Sequence, residues 1–491
     1  MNNFYDWIFE QDLDLNKEIL STQRGNFSYR DIQQGVAEYV QLFETLGDIK
    51  GKRIALIVPS VYDFTSLALA ISKLQGITVP LSPLLRHEDL ISVLDFVSPH
   101  IVFTVTEHNG FHLWETINQW AASNLKETII LENKEDMKWN QTIHIGEKYP
   151  LEEGQIQIIG CTSGSTGTPK GIVYDVDFVQ RVGKGINIGL DIFENDKLFL
   201  LAPATGVFGL AWILSTMQSK THLVLSENFN FPEIIQLFES HASKKFISTP
   251  SLFKAMDLFS KSLGKQVLNQ VSLLCVFGEL VTKEFLQTYS DFPAKIMSFL
   301  GITEFGTVMY TENDIRNDMN WTLLPNIKYK FDSQSEERIG ELLYQSERPF
   351  LGYYQRPDLT NDVYKDGWFF SGDLGRTNDD GKIELVGRKK DMIKKGGQQV
   401  IPGEIESILE KHPDVLRVVV VGIPHPVFGE QIIAFVQKNR SDLNSQELYE
   451  YCNLRIARYK IPDQIRFIEE FPMVQGKIDK VALRKKATEQ E

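Results

Sequence analysis

Short apolar runs alternate with helical periodicities along the first half of the chain. Arg53-Ile54-Ala55-Leu56-Ile57-Val58 is almost wholly apolar, as a strand buried on both faces should be. Residues 62–75 then carry apolar positions at helical spacing, and Gly76-Ile77-Thr78-Val79-Pro80 opens another strand. Ile101-Val102-Phe103-Thr104-Val105 and Thr128-Ile129-Ile130-Leu131 repeat the theme. Strands joined through helices in short units predict parallel sheets covered by helices. The pattern continues with strands over 198–202, 221–225, 246–249 and 273–277, and helices over 208–217 and 232–240. Pro232 suits a first helical turn, where its missing N–H leaves no bond unmade.

Near Gly387 the pattern changes. The stretch from Gly387 to Gly397 places five cations in eleven residues. Beyond it come a helix over 402–411, strands over 415–421 and 431–437, a helix over 445–454 and a strand over 464–467. That is a small α+β unit of about a hundred residues, large enough to stand as a domain. The expected organisation is α/β: a large N-terminal domain, residues 1–387, and a small C-terminal domain, residues 388–491, with the boundary at residues 388–390.

The 491 residues carry a net charge of −14, which argues against broad binding to nucleic acid or anionic membranes. Cys161, Cys275 and Cys452 are odd in number and far apart, so neither a disulfide framework nor a paired-cysteine metal site is expected. A reducing, cytoplasmic setting fits. The N-terminus has no basic region followed by a long apolar one, so no signal peptide is read there. Residues 198–219 are uncharged, and a membrane span needs about 20 such residues. Pro203, Thr205, Gly206 and Gly209 interrupt them, so a strand, a turn and a buried helix are expected instead.

Four short segments carry candidate chemistry. Cys161-Thr162-Ser163-Gly164-Ser165-Thr166-Gly167-Thr168-Pro169-Lys170-Gly171 packs three glycines, five hydroxyls and a lysine between strand-like runs. Free backbone N–H groups, hydroxyls and one mobile cation make a cradle for phosphate oxygens. It lacks the Gly-Lys-Ser/Thr ending of a Walker A loop. Gly301-Ile302-Thr303-Glu304-Phe305-Gly306 follows an apolar run and offers a carboxylate to a magnesium ion, which takes one or two carboxylates beside phosphate oxygens. It reads equally as a helix start capped by Thr303. Ser371-Gly372-Asp373-Leu374-Gly375 offers a carboxylate to a ribose diol, or is an ordinary Asp-containing turn. Val474-Gln475-Gly476-Lys477-Ile478-Asp479-Lys480 places Lys477 beside a glycine on what reads as an exposed loop.

Together, in this order and spacing, these segments resemble the adenylate-forming superfamily: acyl-CoA synthetases, peptide-synthetase adenylation domains and luciferase-like ligases. Phe27-Ser28-Tyr29-Arg30, the Gly387-Arg388-Lys389-Lys390-Asp391 connector and His412-Pro413-Asp414-Val415 extend the likeness over nearly the whole chain. The resemblance implies ATP-dependent activation of a carboxylic acid through an acyl-adenylate, then transfer to the thiol of coenzyme A. It implies that Thr162, Ser163, Gly164, Ser165, Thr166, Gly167 and Lys170 hold the β- and γ-phosphates, and that Glu304, with Thr162, binds Mg²⁺. Asp373, with Arg388, would hold the ribose. Gly278-Glu279-Leu280 would form the adenine-side turn, with Leu300, Gly301 and Thr303 nearby. Lys477 would reach the α-phosphate and the substrate carboxylate. Lys390 would be the hinge about which the small domain turns, bringing Gly396 and Gly397 to the thiol.

Three positions depart from the family pattern. Leu300 stands where an aromatic usually stacks on adenine, Gly206 where a bulky residue usually lines the acyl pocket, and Phe277 where a small residue is typical. The other pocket candidates, Val207, Trp212, Thr307 and Val308, are apolar or small. No Arg or His among them would pair a second carboxylate, and no Asp over 206–212 would hold an amino acid's ammonium. A fatty or other apolar acid is expected. The same loops would serve an AMP ligase that loads a carrier protein's phosphopantetheine. A non-catalytic relative that keeps only the nucleotide site is a third reading, which the intact Lys170, Glu304, Asp373, Arg388 and Lys477 oppose.

Overall fold

The computed structural model describes residues 3–489, apart from 136–137, 163–168, 280, 333–338, 348–349, 380, 396–397 and 475–476. By its contacts the chain separates into two compact units. One comprises Met1–Cys275, Leu300–Val308 and Ser346–Asp362; the other comprises Val276–Phe299, Met309–Gln345 and Val363–Glu491.

The first unit holds the expected parallel-rich sheets. One runs, edge to edge, through Gly352–Tyr353, Lys170–Tyr174, Ile158–Thr162, Ile77–Pro80, Arg53–Ile57, Ile101–Val105, Thr128–Glu135 and Lys138–His144. Its centre is parallel: Arg53–Ile57 pairs in parallel with both Ile77–Pro80 and Ile101–Val105. All five residues of Arg53–Ile57 are buried, which is why that segment shows no polar alternation. The helix Val61–Lys73 follows, capped by Ser60, whose side chain accepts from the Asp63 N–H. A second group of strands, Glu18–Thr22, Lys197–Leu201, His222–Leu225 and Lys245–Ser248, is also joined by parallel pairs.

The uncharged stretch near residue 200 forms the strand Lys197–Leu201 and the helix Val207–Gln218. Among the described residues, no helix is long and apolar enough to cross a membrane.

In the second unit, Lys328–Asp332, Gly340–Gln345, Trp368–Thr377 and Ile383–Arg388 form an antiparallel sheet. The C-terminal α+β pattern appears as expected. Val415–His425 and Gly429–Lys438 pair as a long hairpin, Gln464–Phe467 adds in parallel, and the helices Pro402–Leu409 and Ser445–Asn453 follow the reading. Its core joins Ile393, Val400, Ile405, Val418, Val420, Ile432 and Leu448.

Two local expectations change. Gly372-Asp373 is not a turn: it lies inside the strand Trp368–Thr377, at a register shift against Gly340–Gln345. Gly372 adopts φ +72°, the left-handed conformation a bulge of this kind asks of glycine. Lys477 does not sit in an open loop: Lys477–Ile478 pairs with Met473–Val474 as a short antiparallel ribbon.

Candidate active site

In the first unit, the segment around Glu304 settles the alternative left open by its sequence. The strand Lys295–Ile302 ends, a turn follows, and the strand Gly306–Tyr310 begins, so Thr303 caps no helix. The turn closes through the Phe305 N–H donating to the Ile302 carbonyl at 3.0 Å. Gly306 leaves it at φ +75°, and a Cβ there would meet Val182 Cγ2 at 2.3 Å, so only glycine fits.

Three side chains from three elements hold this turn, one residue each. The Tyr174 hydroxyl donates to the Thr303 carbonyl at 3.0 Å. The Tyr353 hydroxyl donates to Glu304 Oε1 at 2.6 Å. Arg181 donates to the Phe305 carbonyl at 2.6 Å and lies over the rings of Phe178 and Phe305. Arg181 is presented by the helix Val176–Gly189, which starts where Asp175 accepts from the Phe178 N–H at 2.7 Å. Burial lowers the Arg181 pKa to about 10, so it remains a cation at neutral pH. Burial and the Glu304 charge raise both tyrosine pKa values, so both hydroxyls stay protonated donors.

Lys170 begins the strand Lys170–Tyr174, and its Nζ lies 5.9 Å from the centre of the Tyr353 ring. Among the described residues, Lys170 makes no ion pair, and Glu304 has neither a cationic partner nor a second hydrogen bond. No cluster of three metal-ligating side chains occurs among the described residues. That donor set suits a magnesium ion completed by phosphate oxygens and water, not an all-protein cage.

The acyl-side candidates meet this region through Gly160. A Cβ at Gly160 would lie 2.6 Å from Val207 Cγ2 and 3.0 Å from the Tyr174 ring. Val207 therefore packs closely over Gly160, the residue that precedes Cys161. Trp212 is 2% exposed, and its Nε1 has no hydrogen-bond partner. Val308 is fully buried, and Thr307 is half-buried. Cys161 is half-buried, and desolvation pushes its thiol up to about 12, so it stays protonated at neutral pH.

Ser163, Gly164, Ser165, Thr166 and Gly167 lie outside the described residues, as do Leu280, Gly396 and Gly397. The backbones of Thr162 and Lys477 lie in strands.

The second unit contains the other candidate cluster. Asp373 and Arg388 face each other across paired strands, with Arg388 Nε 2.7 Å from Asp373 Oδ1. Asp373 Oδ2 is buried without a hydrogen-bond partner, an acceptor available to a hydroxyl donor. Burial raises the Asp373 pKa, Arg388 opposes that rise, and Glu341 adds to it. Glu341 accepts from the Gly372 N–H at 3.0 Å and pairs with Lys389 at 2.6 Å. Gly278 follows the strand Leu273–Phe277 at φ +77°, and Glu279 follows it. Leu300 is half-buried, whereas Phe299 is buried and packs near Tyr310 at 6.2 Å between ring centres.

Sequence reading missed Tyr174, Arg181 and Tyr353. Each acts on a turn that is 49 or more residues distant in the chain. The one local hint was Gly352-Tyr353-Tyr354, a glycine before two aromatics, which is common in any strand.

These sheets are those of the adenylate-forming fold. ATP-bound MatB from Rhodopseudomonas palustris shares the fold, with a TM-score of 0.84 at 21% identity over the whole of both chains. The chain belongs to the AMP-binding enzyme family: its family model matches residues 12–354, and the AMP-binding enzyme C-terminal domain matches residues 404–476. Curated relatives are CoA ligases. They include the long-chain-fatty-acid–CoA ligase FadD13 of Mycobacterium tuberculosis, 26% identical over 89% of each chain. They also include the 2-succinylbenzoate–CoA ligase of Bacillus cereus, 22% identical over 96% of each.

Proposed function

We propose that this enzyme activates a fatty or other apolar carboxylic acid with ATP and transfers the acyl group to coenzyme A. The observation that carries the reading is the Thr303–Phe305 turn, locked by three side chains so that Glu304 and Lys170 approach one tyrosine without pairing to each other. Attack of a carboxylate on the α-phosphate brings two anions together. Their repulsion at about 4 Å is of order 4 kcal/mol at a near-surface dielectric. Fixed cations offset it with little reorganisation. Lys170 holds the leaving phosphates and Lys477 the reacting carboxylate and α-phosphate. Glu304, with Thr162, would hold Mg²⁺, which neutralises phosphate charge. Asp373 accepts from the ribose, and Arg388 opposes the burial-driven rise of its carboxyl pKa.

The apolar character of the acid rests on Gly206, Val207, Trp212, Thr307 and Val308, none of which is charged. It is also supported by FadD13, named for long-chain fatty acids. The 2-succinylbenzoate ligase, named for an aromatic acid, keeps an aromatic substrate in view. Lys390 is proposed as the hinge between the two half-reactions. A carrier-protein thiol is the alternative acceptor to coenzyme A.

Acid-dependent exchange of pyrophosphate into ATP tests the reading over a panel of aliphatic, aromatic and dicarboxylic acids. Exchange with apolar acids, followed by thioester formation on adding coenzyme A, is the expected result. No exchange with any acid would return the chain to a binding role. Exchange without coenzyme A transfer would point to a carrier protein.

A further inference from the structure

Tyr353 contacts both charged groups on the phosphate side of the site. Its hydroxyl donates to Glu304 Oε1 at 2.6 Å, and its ring lies 5.9 Å from Lys170 Nζ, the outer range of a cation–π contact. A carboxylate and an ammonium so near a common ring attract each other and would be drawn into an ion pair. No such pair occurs between them among the described residues. A closed pair would use up the carboxylate needed for a metal and the cation needed for phosphate.

Tyr353 is itself well fixed. Its N–H donates to Thr360 Oγ1 at 2.9 Å, its strand pairs with Ile172, and its ring meets Phe350 edge-on at 5.4 Å. Gly352 precedes it at φ +125°, with the Thr360 side chain 3.0 Å from where a Cβ would stand. Tyr174 and Arg181 donate to backbone carbonyls of the same turn. Tyr353 alone of the three grips the functional side chain.

We infer that Tyr353 is a positioning residue that keeps Glu304 and Lys170 apart and separately aimed, the hydroxyl leaving Glu304 Oε2 for the metal and the ring face holding Lys170 for phosphate. The inference rests on the nucleotide reading above. It divides the tyrosine into two separable parts. Tyr353→Phe removes the donor and keeps the ring. Tyr353→Leu removes both.

The test is equilibrium binding of a non-hydrolysable ATP analogue, titrated with Mg²⁺ and without turnover. In Y353F the half-saturating Mg²⁺ concentration should rise roughly tenfold, the loss of one hydrogen bond to a charged group. Analogue affinity without Mg²⁺ should not change. In Y353L the metal-free affinity should also fall, by about two- to fivefold, the worth of an exposed cation–π contact. Adding Y353F to Glu304→Ala should shift nothing further, because the hydroxyl acts through that carboxylate. A Y353F protein with the wild-type Mg²⁺ dependence, or additive losses in the double variant, would overturn the inference and leave the nucleotide reading standing. Absence of Mg²⁺-dependent binding in the wild-type chain would overturn both.

Discussion

Arg388 reaches across the paired strands to Asp373 Oδ1 at 2.7 Å and leaves Oδ2 buried with no hydrogen-bond partner. An unsatisfied buried carboxylate oxygen costs free energy, and one satisfied half-way is poised for a donor. The bulge at Gly372 turns the carboxylate into this setting. In the proposed reading, a ribose diol would supply the missing donor. Asp373→Ala should therefore raise the ATP concentration needed for half-maximal pyrophosphate exchange by about 10- to 100-fold. The wild-type enzyme should favour ATP over 2′,3′-dideoxy-ATP, and the variant should not. Equal preference in the wild type would remove Asp373 from the ribose.

Gly206 and Gly209 stand three residues apart and differ completely in what they can tolerate. Gly206 precedes the helix Val207–Gln218 in extended backbone, φ −169°, with nothing within 4 Å of a Cβ. At Gly209 a Cβ would meet the Ala204 carbonyl oxygen at 1.9 Å. Gly206→Phe should fold normally and shift exchange activity toward shorter acids. Gly209→Ala should lower the melting temperature, at a cost of about 1–3 kcal/mol from overpacking. Unchanged acid preference in G206F would place the acyl pocket elsewhere.

The contrast between these two glycines shows what a sequence can and cannot convey. Both occur in one uncharged run, and the run's strand and helix were readable because burial fixes an apolar pattern. The space around each glycine depends on how the preceding turn folds back, which no local pattern records. The same holds for the site. Lys170, Glu304 and Asp373 stood out because charged residues among glycines are chemically conspicuous. Tyr353 did not, since its meaning comes from a short edge strand pairing with Ile172 and delivering the hydroxyl to a turn 49 residues away. The Asp373 segment was misread as a turn because Gly-Asp serves bulges and turns alike, and only the partner strand distinguishes them.

Two desolvated histidines, His100 half-buried and His222 buried, weaken the fold as the pH falls. Burial, with Arg53 adding repulsion, lowers His100 to about 4. The Arg53 N–H donates to its Nδ1 at 3.1 Å, while its Nε2 is buried without a partner. Burial, with Lys197 and His241, lowers His222 to about 4, and its Nε2 shares a 2.7 Å hydrogen bond with Ser21. Both are neutral in the fold and take up protons near pH 6.5 when unfolded. Their contribution is complete above about pH 6.5 and is lost progressively as the pH falls toward about 4. The melting temperature should fall across that window, and His222→Gln should flatten the fall. A melting temperature independent of pH between those limits would refute the account.

Around Lys390, successive residues are tied in opposite directions. Arg388 pairs with Asp373 and Lys389 with Glu341, both on the preceding sheet. Asp391 pairs instead with Lys480 and Arg484 of the C-terminal helix Lys480–Glu489. Lys390, between them, makes no ion pair among the described residues. A rotation that keeps both sets of pairs must be absorbed at Lys390, which supports its proposed role as hinge. Lys390→Pro, which fixes φ near −65°, should therefore spare acid-dependent pyrophosphate exchange and slow thioester formation from supplied acyl-adenylate. Lys477→Ala should do the reverse, abolishing exchange while the supplied adenylate still reacts with coenzyme A. The two variants together form the test. Loss of the same half-reaction in both, or of both half-reactions in either, would mean that one fixed arrangement serves the whole cycle.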